Sequence, residues 1–286
     1  MLEFLTDPFS QGIGLRALAG VVILGAVCGP LGVWIVLYRQ SYAAESIAHS
    51  MLPGLAAAAL IGIPLGLGAA AGLAVAAVLI AACSRQQAVS ADVAIAVTVT
   101  ALFGLGSLLA LSPEAPVRLG ELLFGDPLSI SGGDLVASGV LALFLFGALL
   151  AGHRPLSLAG FDAVTAPNLG ATPAAVGLAL LVLIAATTLV AVQSLGNLLV
   201  VAIVVGPAAA ALRLTSRLPA ALLMAAALGI SSGAAGLLLS YHAEIAAGAS
   251  IALCAVAAFA LTLPFGGTGA VESRSAGSPV DALGGA

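Results

Sequence analysis

From Gly14 to Phe265 polar residues interrupt the chain so rarely that it resolves into apolar runs, near 14–38, 43–63, 65–83, 91–111, 134–152, 173–192, 195–212, 218–240 and 248–265. A helix that crosses a bilayer needs ~17–25 such residues, because each adds only about 1.5 Å of rise. The runs therefore predict an all-α polytopic membrane protein with about nine transmembrane helices. Only 7% of residues are charged and mean hydropathy is +1.22, whereas a water-soluble domain carries about 25% charged residues. Abundant Gly and Ala suit close helix packing in lipid, and no alternating strand pattern points to a barrel. The first run has no basic leader and no obvious small-residue cleavage site, so it reads as a retained span.

The basic residues are eight arginines, with no lysine. Arg39, Arg85, Arg154, Arg213 with Arg217, and Arg274 are each separated by two spans and so share one side, which the positive-inside rule makes the cytoplasm. The expected orientation is N-terminus outside and C-terminus cytoplasmic. Seven of the twelve acids, Glu3, Asp7, Glu114, Glu121, Asp126, Asp134 and Glu244, then fall outside. An acidic outer face raises local cation concentration, although it also follows if arginines were simply kept inside. Residues 1–265 form the expected transmembrane domain. Residues 266–286, rich in Gly, Ala and Ser, form an expected disordered cytoplasmic tail.

An ionisable side chain at membrane depth costs a few kcal/mol, so the few present are the first candidates for function. Glu45 and His49 open the second run at i, i+4 spacing, which puts both on one helical face. One carboxylate and one imidazole suit zinc, manganese or ferrous iron. Two ligands are too few for a tight cage, but a transport site must release its ion, and a second copy across a two-fold axis would double the set. A mutual hydrogen bond at the helix start is the competing reading. Ser90 or Asp92 fits a helix cap at the start of the fourth run. His242 and Glu244, between the last two runs, fit an outer gate or entrance and equally a solvated loop. His153 beside Arg154 reads as the cytoplasmic end of a span. Cys28, Cys83 and Cys254 lie singly and read as small core residues.

Absences narrow the field. Without lysine there is no GxxxxGK[ST] phosphate loop, so the chain is not itself a P-loop ATPase. It also lacks HExxH, which counts against a zinc protease. His-x-Glu at 242–244 lacks the PCxxC partner of the zinc deaminases. Nothing suggests nucleic-acid binding, and membrane lipid is the expected surroundings.

The stretch GPLGVWIVLYRQSYAAESIAHSMLPG, 29 to 54, resembles the permease subunits of zinc- and manganese-type metal-ion ABC importers. The likeness continues in order through LFGDPLS (123–129), FDAVTAPNLGATP (161–173) and SLGNLLVVAIVVGPAAAALR (194–213). It implies a type II-like importer permease fold in a prokaryotic cell membrane. It also implies a homodimer bound to two cytoplasmic ABC ATPase subunits, which hydrolyse the ATP, and fed by an extracytoplasmic metal-binding protein. The chain itself would be no enzyme and hold no cofactor; the divalent metal would be its cargo. The family's carboxylate and histidine fall on Glu45 and His49, with Glu standing where the family has Asp. Its outer aspartate falls on Glu244, and the proline expected two residues later is Ala246. Segment 160–172 would be the coupling helix that docks on the ATPase, through Phe161, Asp162, Ala166 and Gly170. Phe161 offers an aromatic anchor and Asp162 a helix cap, while Pro167 should shorten the helix; an ordinary connecting loop is the alternative. The competing functions are a permease for a chelated metal, siderophore or corrinoid, an ATPase-independent secondary carrier, and an intramembrane enzyme.

Overall fold

The computed structural model describes residue 9 and residues 12–84, 91–113, 127–162, 164–195 and 197–264. These are helical: α1 (Gly12–Leu37), α2 (Ser41–Ser50), α3 (Leu52–Ile61), α4 (Leu65–Ser84), α5 (Ala91–Ala110), α6 (Gly132–Phe161), α7 (Pro173–Leu195), α8 (Asn197–Leu214), α9 (Leu218–Ala243) and α10 (Ala247–Ala260). Short 3-10 turns at Pro127–Ser129 and Ala166–Leu169 precede α6 and α7. Among the described residues, five stretches are long and apolar enough to cross a membrane: Gly12–Leu37, Ser41–Ile61, Val93–Ala110, Gly132–Phe161 and Leu218–Ala243. Four shorter apolar helices accompany them, Leu65–Ile80, Ala175–Ala191, Leu199–Leu214 and Ala247–Ala260. Arg85, Arg118, Glu3, Asp7, Glu114, Glu121, Asp126 and the tail lie outside the described residues.

Helix α1 is the centre of the bundle. It packs along α9 and α8 and also meets α6, while α10 closes against α8 and α9. Glycines set the spacing. A Cβ on Gly25 would lie 2.8 Å from the Gly229 carbonyl carbon, and one on Gly29 would fall on the Ala225 carbonyl. The backbones therefore touch directly, as small residues allow in a membrane bundle. Around this seam Leu24, Leu31, Trp34, Ile35, Ile203 and Ile251 are almost wholly buried. A second group, α3, α4 and α5, packs by the same device, with Gly54 against Gly68. Helices α2 and α7 join the two groups.

Burial divides the helices sharply. In the apolar window of α1, 67% of residues are buried, against 22% in those of α5 and α6. Exposed Val97, Leu105, Leu143, Phe144 and Phe146 cover the latter two, which makes them lipid-facing.

Two expectations are refined. The run expected at 43–63 is the apolar stretch Ser41–Ile61, divided at Met51 into α2 and α3 because Pro53 has no N–H to continue the ladder, while Met51 itself keeps helical angles, φ −76° and ψ −21°. The run expected at 134–152 continues to Phe161, so His153 does not end it. Pro155 lies inside this continuous helix; around it the Ser157 hydroxyl donates to the His153 carbonyl at 2.8 Å, and the Tyr38 hydroxyl donates to the Leu156 carbonyl at 2.8 Å. The imidazole of His153 meets the edge of Trp34, with ring centroids 5.8 Å apart. At the other end Asp134 serves a capping box. Its N–H donates to Ser131 Oγ at 3.2 Å, and its carboxylate accepts the Ser131 N–H at 2.9 Å.

Candidate metal pathway and coupling segment

Helix α2 is short and made mainly of small residues. Ala44, Ser46, Ala48 and Ser50 are buried as it packs against α5 and α7. Glu45 lies off that buried set, its side chain 53% exposed, while that of His49 is 19% exposed. The helical spacing brings Glu45 Oε1 to 3.9 Å from His49 Nε2, too far for a hydrogen bond. Phe103 of α5 stands behind the imidazole, edge to face, at a centroid distance of 5.2 Å. Two donors each about 2.1 Å from one ion lie roughly 3–3.5 Å apart across a coordination edge. Small rotamer adjustments would close 3.9 Å to that bite. Among the described residues no group of three or more His, Cys, Asp or Glu could hold an ion within the chain, so the pair is the local donor set.

His242 and Glu244 stand on either side of a helix end. Helix α9 ends at Ala243, and Glu244 takes the left-handed conformation at φ 54° as its C-cap, its N–H donating to the Ser240 carbonyl. The Ser240 hydroxyl donates to the Ile245 carbonyl at 2.6 Å and fixes the reversal. His242 packs edge-on against Tyr241, centroids 5.2 Å apart. Glu244 lines a cavity of about 250 Å³ with Gly14, Ala17, Leu237, Tyr241 and Ile245; His242 is not among its walls. Asp92 falls in the first turn of α5, its side chain outside the described ones.

A second, narrow groove runs between α1, α2, α7 and α8, past Leu31, Ala44, Ile184, Thr187, Thr188 and Val204. Its threonines bond within their own helix, to the Leu183 and Ile184 carbonyls at 2.7 Å. They leave the groove dry in character.

Between α6 and α7 the chain forms the segment singled out above. Phe161 is the last residue of α6 and 55% exposed. Asp162 Oδ1 accepts the Thr165 N–H at 3.0 Å. Bonds from the Thr165 side chain and backbone hold the Asp162 carboxyl below its ordinary range. Asp162 thus caps the turn entering the 3-10 helix Ala166–Leu169, whose own N-cap position is Thr165. Ala166 is buried, Gly170 ends the turn at φ 82°, and Val164 and Leu169 stand exposed beside Phe161.

Sequence reasoning did not find Phe103 or the pairing of Trp34 with His153. Each depends on a helix far away in the chain, and an isolated aromatic in an apolar run carries no local mark.

The bundle of apolar helices defines a multi-pass membrane protein. Residues 11–266 match the ABC 3 transport family, and the chain belongs to it. It is the membrane subunit of an ABC transporter, a multi-pass protein and not an enzyme. It is 35% identical over 251 residues to the manganese transport system membrane protein MntC of Halalkalibacterium halodurans, covering 87% of this chain and 86% of that one. It is 30% identical over 251 residues to the chelated iron transport system membrane protein YfeC of Yersinia pestis, with 88% and 85% covered. Among solved structures it is similar to a chain of PsaBC from Streptococcus pneumoniae in complex with Fab. There the TM-score is 0.82 at 26% identity, covering 91% of this chain and 94% of that chain.

Proposed function

We propose that this chain is the permease of an ATP-driven importer of a divalent metal ion, with manganese(II) the first candidate and zinc(II) the second. The observation that carries this reading is the Glu45–His49 pair, one turn apart on α2 and near the bite distance for a single ion. A carboxylate suits manganese and an imidazole suits zinc; the relative named for manganese transport, 35% identical, weighs toward manganese. In this reading the chain crosses the membrane nine times, with its N-terminus outside and its C-terminus in the cytoplasm. Two copies face each other across a two-fold axis, so that two Glu45 and two His49 form the transient site. Glu244 lies at the outer mouth. Phe161, Val164 and Leu169 present an apolar knob to a partner ATPase, with Asp162, Ala166 and Gly170 shaping the turn that carries them. An extracytoplasmic metal-binding protein delivers the ion.

The test is ATP-dependent Mn²⁺ uptake by proteoliposomes that hold the permease with its ATPase and binding protein. His49→Ala and Glu45→Gln each abolish uptake and leave assembly intact. If the two side chains only satisfied each other, the double variant Glu45→Gln with His49→Gln would restore a neutral hydrogen-bonding pair and recover transport. Recovery of uptake in that double variant would sink the ligand assignment. Uptake of a chelated metal that is indifferent to both residues would favour the chelate reading, which the YfeC likeness supports.

A further inference from the structure

The turn between α1 and α2 spans only Tyr38, Arg39 and Gln40, yet its side chains hold both helices that flank the 162–172 segment. Tyr38 donates from its hydroxyl to the Leu156 carbonyl at 2.8 Å. Its ring lies against Gly160, where an added Cβ would come within 3.2 Å of Tyr38 Cε2. Leu156 and Gly160 belong to the last two turns of α6, which lead directly into the segment. Gln40 occupies the N-cap position of α2 but makes no side-chain cap there. Instead its amide Nε2 donates to the Gly177 carbonyl at 3.4 Å, in the second turn of α7, where the segment ends. Its Oε1 is buried with no hydrogen-bond partner, so this side chain is placed by α7 and not by its own helix.

The backbone of the turn is as specific as its side chains. Arg39 has φ 55°. The Gln40 N–H donates to the Ile35 carbonyl at 2.9 Å and the Arg39 N–H to the Val36 carbonyl at 3.0 Å, the paired bonds of a Schellman ending. Helix α1 itself is locked to α9 by glycine contacts. The Ala44 N–H donates to the Gln40 carbonyl at 2.9 Å, so α2 grows directly out of the turn. Glu45 follows Gln40 by about 7.5 Å of helix and His49 by about 13 Å.

We propose that Tyr38 and Gln40 are positioning residues that transmit movement of the 162–172 segment to α2, and through it set the placement and exposure of the Glu45–His49 pair. The inference rests on the permease reading above and extends it by naming the mechanical link. When the segment shifts, the two hydrogen bonds pull on the turn at the end of α1 and redirect α2, which grows out of it.

The experiment compares wild type, Tyr38→Phe, and Tyr38→Phe with Gln40→Leu, each reconstituted with its ATPase and binding protein. Deuterium uptake is followed in peptides covering 41–50 and 164–172, with and without ATP and vanadate, and Mn²⁺ transported per ATP hydrolysed is measured on the same preparations. Tyr38→Phe keeps the ring against Gly160 and removes only the hydroxyl. In the double variant the response at 164–172 persists, that at 41–50 disappears, and Mn²⁺ moved per ATP falls about ten-fold, the size expected for losing a coupling carried by two hydrogen bonds. Tyr38→Phe alone is intermediate. Thermal midpoints fall by no more than about 5 °C, the share of two hydrogen bonds. A wild-type response at 41–50 in the double variant overturns the inference. So does joint loss of both responses with a midpoint lowered by more than about 5 °C, which would make the two side chains packing residues. If wild type moves no Mn²⁺ while ATP and vanadate still alter 41–50, the metal reading fails and the exchange data alone decide the link.

Discussion

The chain pairs a histidine with a glutamate twice, and the two pairs are built to different ends. Glu45 and His49 share one turn of a helix, with Phe103 backing the imidazole. His242 and Glu244 straddle a helix end: the glutamate turns into the left-handed region and lines a cavity, while the histidine packs on its own neighbour Tyr241. Backbone geometry, more than residue type, decides whether two donors face one ion. Spacing of four on a helix aligns them, and spacing of two across a helix end imposes no such alignment.

The largest expected contrast is in transport. His49→Ala lowers Mn²⁺ uptake by about 100-fold or more, the loss of a ligand exceeding the 10–100-fold typical of outer partners. His242→Ala changes it by no more than about two-fold, as a screened surface group should. Equal losses in parallel uptake assays would erase the distinction between the pairs.

Next in size is the wall behind the first pair. Phe103→Ala removes an aromatic contact worth about 1 kcal/mol and lets the imidazole swing, so the Mn²⁺ concentration for half-maximal uptake rises about five-fold. Tyr241→Ala, the corresponding change at the second pair, leaves that concentration unchanged.

Stability separates the two glutamates by sign. Glu45→Gly weakens a helix interior and costs roughly 0.5–1 kcal/mol. Glu244→Gly relieves a side chain held at positive φ and gains about 1 kcal/mol. Denaturation midpoints of the two variants in one detergent should move in opposite directions; a fall in both would show that Glu244 is held by contacts worth more than its strain.

Asp162 supplies the smallest effect, a carboxylate whose role is a hydrogen bond in place of an ion. Its folded pKa is lowered, chiefly by Thr165. The cap is therefore intact above the ordinary carboxylate pKa of about 3.9 and is lost as pH falls through the lower folded value. Protection of the Thr165 amide from exchange should fall across that acid window in wild type. In Asp162→Asn it should stay flat.

Most helices were legible because an apolar run must be buried by protein or lipid, and either fate favours a helix. The facing of Glu45 and His49 followed from their spacing alone. The extension of α6 past Arg154 did not, since His153 beside Arg154 read as the end of a span; Tyr38 supplies a hydrogen bond there from outside the local pattern. The break at Met51 could be read only by ranking Pro53 above the apolar run around it. Asp134 looked like an outer surface charge and is half of a capping box. Phe103 was invisible because its importance is the company of His49, 54 residues earlier in the chain.

The glycine seam between α1 and α9 has a consequence for genetics. Gly25, Gly29 and Gly229 have no side chain with which to hold an ion or grip a partner, yet a single added methyl at any of them strikes backbone. A random screen for loss of metal uptake will therefore recover alleles along this seam as readily as at His49, and activity alone will not tell them apart. Protein abundance will: seam alleles vanish from the membrane, whereas His49 alleles remain there, silent and full length.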